Sequence, residues 1–211
     1  MVAVMPIRVL CVDDHRIVRD GIALIIDRQP DMEVIGTAAG GEEAIELFHR
    51  HRPDVTLMDL QLGKVSGVEA IRVIRRADPL ARIIALTMYR GDEDIHRALE
   101  AGAIAYLLKD SLAEDLIRVV REVHTGERPA FSAEIQARLA ERALHPALTA
   151  REQQTLELIA LGMRNRDIAT TMAIGEETVQ SHVKSILFKL DAKDRTAAVN
   201  IALRRGIIHV G

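Results

Sequence analysis

The chain has 211 residues, 48% of them hydrophobic and 28% charged, a composition ordinary for a soluble globular protein. No apolar run approaches the roughly 18–20 residues that a membrane-spanning helix needs, Met1–Pro6 lacks the pattern of a secretory signal, and a lone cysteine, Cys11, excludes an internal disulfide. The net charge of −3 divides into +2 for residues 149–211 and −5 for the rest, so charge alone is weak evidence for nucleic-acid binding.

Strand and helix patterns alternate along the first 125 residues. Short apolar runs rich in Val, Ile and Leu predict strands at Ile7–Val12, Val34–Ala38, Val55–Met58, Ile83–Leu86 and Tyr106–Leu108. Helices are predicted at Arg16–Arg28, Gly41–Arg52, Gly67–Ala77, Asp92–Ala101 and Leu112–Thr125. Such alternation is typical of a doubly wound α/β domain, with a five-stranded parallel sheet covered by helices on both faces.

Two of these helices have a face marked by helical spacing. In the first helix, that face is predicted at Ile17, Gly21, Leu24, Ile25 and Arg28, with Gly21 as a close-packing point. In the last helix, it is predicted at Leu116, Val119, Val120 and Val123. Cys11 lies inside the first strand, which favours a buried, unreactive thiol.

The alternation stops after residue 125. Gly126–Pro129 breaks the pattern, Ser132–Ala143 predicts a polar linker helix, and His145-Pro146 ends it. From Thr149, a capping-box residue, four helices are predicted at 150–161, 165–172, 176–190 and 194–205. The sequence therefore predicts an α/β domain over 1–125, a linker over 126–147 and an all-α domain over 148–211.

Four of the predicted strands end in residues that suit magnesium and phosphoryl chemistry. The residues are Asp13 with Asp14, Asp59, Thr87 and Lys109. Because open α/β sheets bind ligands at the carboxyl ends of their strands, we expect these side chains to share one crevice. Mg²⁺ prefers oxygen ligands and takes one or two carboxylates together with phosphate oxygens. An ammonium and a hydroxyl group would then neutralise and bind the phosphoryl oxygens.

Residues 7–125 resemble the receiver domain of a two-component response regulator, a flavodoxin-like fold. The resemblance rests on the DDH of Asp13–His15, the MDL of Met58–Leu60, the LTMY of Leu86–Tyr89 and the GAIAYLLKD of Gly102–Asp110. It implies that Asp59 accepts a phosphoryl group from a sensor histidine kinase and that Mg²⁺ binds Asp13, Asp14, Asp59 and the backbone carbonyl of Gln61. It further implies that Thr87, Tyr106 and Lys109 bind the phosphoryl group or switch with it.

The sequence departs from the receiver pattern at one position and leaves another enzyme class to consider. Gly63 stands where the family usually has proline, which leaves the loop after Asp59 less constrained but removes no ligand. Haloacid-dehalogenase-type phosphatases also use an aspartate nucleophile with Mg²⁺, but they need a second acid where this chain has Gln61. His15, beside the metal carboxylates, is expected to cap the first helix or to contact solvent.

Residues 148–208 resemble a LuxR-type helix-turn-helix domain of the NarL/FixJ subfamily. The supporting segments are LTAREQQTLELIALGMRNRDIA, ETVQSHVKSILFKL and DRTAAVNIALRRGII. In the third helix, apolar residues recur at Val179, Val183, Ile186, Leu187 and Leu190 and predict the packed face. Thr178, Gln180, Ser181, Lys184 and Ser185 lie away from that stripe, where they are predicted to contact phosphates and base edges of DNA.

These patterns predict a phosphorylation-controlled transcriptional regulator that binds promoter DNA, with no enzymatic role beyond its own phosphorylation and dephosphorylation. The resemblance implies a homodimer on activation, on an inverted repeat, paired through the last helix with Ala197, Ala198, Ile201 and Ala202. We expect a cytoplasmic protein without membrane association. A regulator of the same architecture that acts without phosphorylation is the alternative.

Overall fold

The computed structural model describes residues 5–88, 91–110, 112–127, 129, 135–136, 139–140 and 146–208. It divides into two compact units, one formed by the described residues within 1–88 and 96–132, the other by those within 89–95 and 133–211. None of the described helices combines the length and the apolar character that crossing a bilayer requires.

A five-stranded parallel sheet forms the centre of the first unit. Its strands are β1 (Ile7–Val12), β2 (Met32–Ala38), β3 (Val55–Asp59), β4 (Ile83–Thr87) and β5 (Ala105–Leu108). They are ordered β2-β1-β3-β4-β5, with every neighbouring pair parallel. The strand order reverses between β1 and β3, so the ends of these two strands bound a crevice. This topology confirms the predicted doubly wound fold.

Five helices connect and follow these strands at the predicted places. They are α1 (Arg16–Asp27), α2 (Gly41–His51), α3 (Gly67–Ala77), α4 (Asp92–Ala101) and α5 (Leu112–Thr125). Buried side chains from β1, β3, β4 and α5 pack into a continuous core, and the predicted stripe of α5 from Leu116 to Val123 is part of it. Cys11 is buried in this core, and burial raises the pKa of its thiol to about 12, which fits an inert side chain.

The predicted packing face of α1 is wrong except at Ile25, which is half-buried against the core. Ile17 and Leu24 are 88% and 55% exposed, and a Cβ atom added at Gly21 would meet nothing within 4 Å. The helix instead buries Ile22 and Ile26 against the sheet. Both stripes satisfy helical spacing because α1 is apolar on more than one side, so the contact with the sheet decides which one is buried.

The second unit contains four helices after residue 146, as predicted. They are α6 (Ala150–Ala160), α7 (Asn165–Met172), α8 (Glu176–Lys189) and α9 (Arg195–Arg204). Thr149 caps α6 through a complete capping box with Glu152, and Gly175 occupies the N-cap of α8 without a side-chain bond. Of the predicted linker helix, Ile135, Gln136, Leu139 and Ala140 are helical, and the remainder lies outside the described residues.

Candidate functional site

The strand ends bring the predicted acidic residues together. Asp13 follows β1 and Asp59 ends β3, and these two strands are neighbours at the reversal of strand order. Asp13, Asp59 and Thr87 are buried, and burial of carboxylates such as the two aspartates is unusual unless they are paired. The sheet topology therefore assembles the predicted crevice.

Lys109 joins the two buried carboxylates. Its Nζ lies 2.7 Å from Asp13 Oδ2 and 2.8 Å from Asp59 Oδ2. Its backbone N–H donates to the carbonyl oxygen of Thr87 at 2.8 Å, which fixes the start of the side chain at the sheet edge. Burial lowers the pKa of Lys109, but its hydrogen bonds and charge attraction to Asp13 and Asp59 outweigh that effect and raise it. The residue is therefore a permanent cation between the two carboxylates.

The environment of Asp59 disfavours its charged form, whereas that of Lys109 favours its charged form. Burial raises the pKa of its carboxyl group, the hydrogen bond and charge of Lys109 lower it in part, and the charge of Asp13 raises it again. The net pKa lies above the ordinary value. A single ammonium group thus does not fully compensate two buried carboxylates, and a further cation would stabilise the site.

The described residues also supply ligand atoms for such a cation. One ligand atom each of Asp13, Asp14, His15 and Asp59 lies within 4.8 Å of the others. The three carboxylates fit the oxygen preference of Mg²⁺, and Asp14 is partly exposed to solvent, so bound waters can complete the coordination shell. The receiver-like site is therefore compatible with Mg²⁺.

His15 has the position that the sequence predicted. It is the N-cap residue of α1 and is largely exposed, but its side chain makes no cap hydrogen bond. Its backbone N–H donates to Asp13 Oδ1 at 2.9 Å, and its Nδ1 lies 2.6 Å from Asp14 Oδ1. These contacts orient both carboxylates at the mouth of the crevice.

The loop after Asp59 is fixed at its ends. The N–H of Gln61 donates to Asp59 Oδ1 at 3.2 Å, which orients the carboxylate. A Cβ atom on Gly67 would lie 1.9 Å from the Asp59 carbonyl oxygen, so only glycine allows α3 to begin this close. Gly63 has no such constraint, since an added Cβ would meet nothing within 4 Å. The role of the Gln61 carbonyl as a metal ligand stays a prediction.

The two predicted switch residues lie on adjacent strands. Thr87 ends β4 and Tyr106 lies on β5 opposite Ala85, and both are buried. The switch itself is a prediction that rests on the resemblance. In the LTMY motif, Tyr89 lies outside the described residues.

Helix α8 has the two faces that the sequence predicted. Val179, Ile186 and Leu190 are buried and Val183 and Leu187 pack beside them in the two cores of the second unit. On the other face, Thr178, Gln180, Ser181 and Lys184 are exposed. Their side chains make no hydrogen bond or ion pair with any other described residue, which leaves them available to a ligand.

Comparison with known proteins agrees with both parts of the chain. A family model for the response regulator receiver domain matches residues 9–121, and one for bacterial regulatory proteins of the luxR family matches 146–202. The response regulator protein VraR of Staphylococcus aureus is 41% identical over 208 residues, which span 97% of this chain and the whole relative. VraR of Staphylococcus saprophyticus is 40% identical over 209 residues, with the same coverage.

A crystal structure of the response regulator ChrA, from a heme-sensing two-component system, superposes with a TM-score of 0.58 at 34% identity. The match covers 96% of this chain and 99% of the ChrA chain. The chain belongs to the response regulator family. It is a response regulator with a receiver domain and a LuxR-type helix-turn-helix domain, a family of DNA-binding transcription regulators.

In this response regulator a buried glutamate holds α8, a feature that the sequence interpretation missed. Glu152 of α6 is 5% exposed and accepts hydrogen bonds from Lys189 Nζ at 2.7 Å, Ser185 Oγ at 2.6 Å and the Thr149 N–H at 2.7 Å. Burial raises the pKa of Glu152, but these bonds outweigh it and lower the pKa to about 2. The only sequence signal was Glu152 as the acidic member of the capping box.

The same network affects one predicted DNA contact. Ser185 is half-buried, and its hydroxyl donates to Glu152. A contact of Ser185 with DNA would have to compete with this bond. Four members of the predicted DNA-reading face are exposed and make no competing bond: Thr178, Gln180, Ser181 and Lys184. All five DNA contacts stay predictions.

Proposed function

We propose that the response regulator accepts a phosphoryl group on Asp59 from a sensor histidine kinase and that phosphorylation controls its binding to promoter DNA. The observation that carries the proposal is the contact of Lys109 Nζ with both Asp13 and Asp59, next to a cluster of carboxylates that suits Mg²⁺. A buried acid with a raised pKa and a fixed cation beside it is typical of a reactive site.

The phosphotransfer uses positioning and charge more than covalent chemistry by the protein. An oxygen of Asp59 forms a bond to phosphorus while the bond between phosphorus and the histidine nitrogen breaks, and that nitrogen keeps the electron pair. Lys109 neutralises the phosphoryl oxygens, and the Thr87 hydroxyl donates to one of them. Mg²⁺ bound by Asp13, Asp14, Asp59 and the Gln61 carbonyl would supply further positive charge. The receiver thus catalyses its own phosphorylation and dephosphorylation only.

The conformational response starts from the contacts of Lys109. In the structure its ammonium group donates a hydrogen bond to Asp59 Oδ2. Phosphorylation would modify a carboxylate oxygen of this residue. A phosphoryl group there redirects Lys109 and draws Thr87 towards the new oxygens, and Tyr106 changes its position with Thr87. The outcome is a population shift towards a state that dimerises.

In the activated dimer, α8 of each protomer enters the major groove of one half of an inverted repeat. Thr178, Gln180, Ser181, Lys184 and Ser185 contact the DNA, and α9 pairs the protomers. We assign residues 1–125 to the receiver, 126–147 to the linker and 148–211 to the DNA-binding domain, in a protein that works in the cytoplasm.

Acetyl phosphate tests the acceptor without knowledge of the kinase. With Mg²⁺ present, the wild-type protein should gain one acid-labile phosphoryl group and the Asp59→Asn variant none, measured by intact-protein mass spectrometry. Asp54→Asn, directly before the start of β3 and therefore at the opposite end of the strand from Asp59, is the matched control. Undiminished labelling of Asp59→Asn would refute the assignment.

Gel mobility separates regulation by phosphorylation from the alternative. DNA selected by the protein should be shifted at lower protein concentration after acetyl phosphate treatment, and Asp59→Asn should lose this response. An equal shift with and without treatment, in a protein that is phosphorylated, would favour a regulator that acts without phosphorylation.

A further inference from the structure

Phe188 near the end of α8 is 82% exposed to solvent. Large aromatic side chains are mostly buried, and their burial contributes much of the stability of a core. No contact of its ring with another described aromatic residue exists, and it belongs to neither hydrophobic cluster of the second unit. The ring is therefore not needed for packing within the described part of this unit.

The helical geometry places Phe188 on the face already predicted to read DNA. Ser181, Lys184 and Phe188 follow one another at steps of three and four residues, and all three are exposed. Four residues span about 6 Å along a helix, and one base step is about 3.4 Å, so Phe188 reaches roughly two base pairs beyond Lys184. The buried residues Val179 and Ile186 lie on the opposite side.

The surroundings of the ring favour DNA over a protein surface as its partner. Among the described residues of α8, Phe188 is the only large exposed hydrophobic side chain. Protein docking surfaces are contiguous apolar patches, whereas here one ring continues a row of hydroxyl, amide and ammonium groups. In the major groove the thymine methyl is the apolar group that a single ring can contact.

We propose that Phe188 reads a thymine, with its ring against the 5-methyl group, about two base pairs beyond the position that Lys184 contacts. This inference rests on the proposed DNA-binding function and extends it to a sequence preference. Burying one methyl group contributes about 0.8 kcal/mol, or about a fourfold change in affinity. A dimer that reads one thymine in each half-site gains about 15-fold from the two methyl groups.

The test removes the methyl group and the ring in turn. Full-length protein, treated with acetyl phosphate and Mg²⁺, selects duplexes from a randomised pool, and thymines in the selected site are replaced by deoxyuridine in symmetric pairs, one pair at a time. For the wild type we expect one symmetric pair of replacements to weaken binding about 15-fold. Phe188→Ala should bind thymine and deoxyuridine sites equally, at the affinity of wild type for the deoxyuridine site or below.

Three further variants make the result specific. Phe188→Leu keeps an apolar group and should retain part of the methyl preference. Phe188→Lys should lose that preference and steepen the dependence of affinity on salt by about one unit for each phosphate contacted. Leu161→Ala, which removes a 69% exposed apolar side chain outside α8, should leave the methyl preference unchanged.

The outcomes distinguish failure of the thymine contact by Phe188 from failure of the proposed DNA-binding function. If Lys184→Ala weakens binding but Phe188→Ala keeps the full methyl preference, the inference is overturned and the DNA-binding function stands. If Phe188→Ala alters self-association by sedimentation without altering methyl preference, the ring covers a protein surface and the inference is again overturned. If the wild type selects no sequence and binds DNA no better than Lys184→Ala does, both proposals fail.

Discussion

Asp13 and Asp59 share one ammonium group, that of Lys109. Two carboxylates in a buried site repel each other, and one lysine cannot neutralise both. The raised pKa of Asp59 records the remaining imbalance. The site is therefore held in a state that gains stability from added positive charge, which is what a receiver needs for cation-assisted phosphotransfer.

Neutralising Asp59 should stabilise the metal-free protein. Because burial raises the pKa of Asp59, its ionised form lowers folding stability above that pKa, and the loss is relieved as the pH falls through it. Asp59→Asn should raise the free energy of unfolding at neutral pH without Mg²⁺. Thermal unfolding measures the gain, which should shrink when Mg²⁺ is added. Asp20→Asn on the exposed side of α1 is the control. A melting temperature of Asp59→Asn below that of the wild type without Mg²⁺ would contradict the prediction.

Two buried threonines provide a second test at the residue scale. The Thr56 hydroxyl in β3 is buried without a hydrogen-bond partner among the described residues, whereas the equally buried Thr155 hydroxyl donates to the Arg151 carbonyl at 2.7 Å. Thr56→Val should therefore stabilise the protein by about 1 kcal/mol, because it removes an unsatisfied polar group. Thr155→Val should give no such gain. Equal effects of the two variants on the melting temperature would refute the argument.

At the scale of elements, Glu152 couples the first and third helices of the DNA-binding domain. Its carboxylate accepts from Thr149 at the start of α6 and from Ser185 and Lys189 in the last turns of α8. A buried charge that bonds to two helices fixes their relative position, since any displacement leaves it unpaired. The position of the face predicted to read DNA therefore depends on a buried residue of another helix.

The pH dependence of this contact has a definite sign. The folded-state pKa of Glu152, about 2, lies below its unfolded value of 4.5, so its contribution is present above pH 4.5 and is lost as the pH falls towards 2. The contribution is about 3 kcal/mol at neutral pH. Glu152→Gln should lower the melting temperature of the DNA-binding domain at pH 7 and have little effect near pH 2, as followed by circular dichroism. Glu157→Gln, on the exposed side of α6, should change neither value.

At the scale of the whole molecule, a charge change in one compact unit must alter DNA binding by the other. The receiver supplies the phosphoryl chemistry, and the second unit presents α8. Two exposed residues of that helix are predicted to contribute differently to DNA binding, one by its charge and one by its base specificity. Lys184 can contact phosphate or guanine, whereas the neutral amide of Gln180 can discriminate adenine without releasing counterions.

A salt series with the phosphorylated full-length protein distinguishes the two roles. If Lys184 contacts phosphate, Lys184→Ala should weaken binding to selected and random duplexes alike and reduce the salt slope by about one unit. A bidentate contact with guanine instead predicts a loss of about 1–3 kcal/mol at one base position. Gln180→Ala should relax specificity at one position and leave the salt slope unchanged. If neither substitution alters affinity for either duplex, α8 is not the reading element.

The sequence determined the elements of this protein because hydrophobic periodicity and local caps are properties of short segments. Helices α3, α4, α5 and α7 have the predicted bounds, and the others differ by one residue at an end or at both ends. Strand β2 begins two residues earlier than predicted, since edge pairing with β1 extends it. Asp13, Asp59, Thr87 and Lys109 could be grouped from sequence because each directly follows or ends an apolar strand run.

Only the tertiary structure decided which groups touch. Local periodicity allowed two packing faces for α1, and the sheet selected the one with Ile22 and Ile26, leaving Ile17 exposed. The bonds of Glu152 to Ser185 and Lys189 join residues more than thirty positions apart, a pairing that no local pattern encodes. Lys109 meets both Asp13 and Asp59 because β1 and β3, which end beside these residues, are neighbouring parallel strands. Contacts between distant segments depend on how whole elements pack together. The local pattern of any one segment does not contain that information.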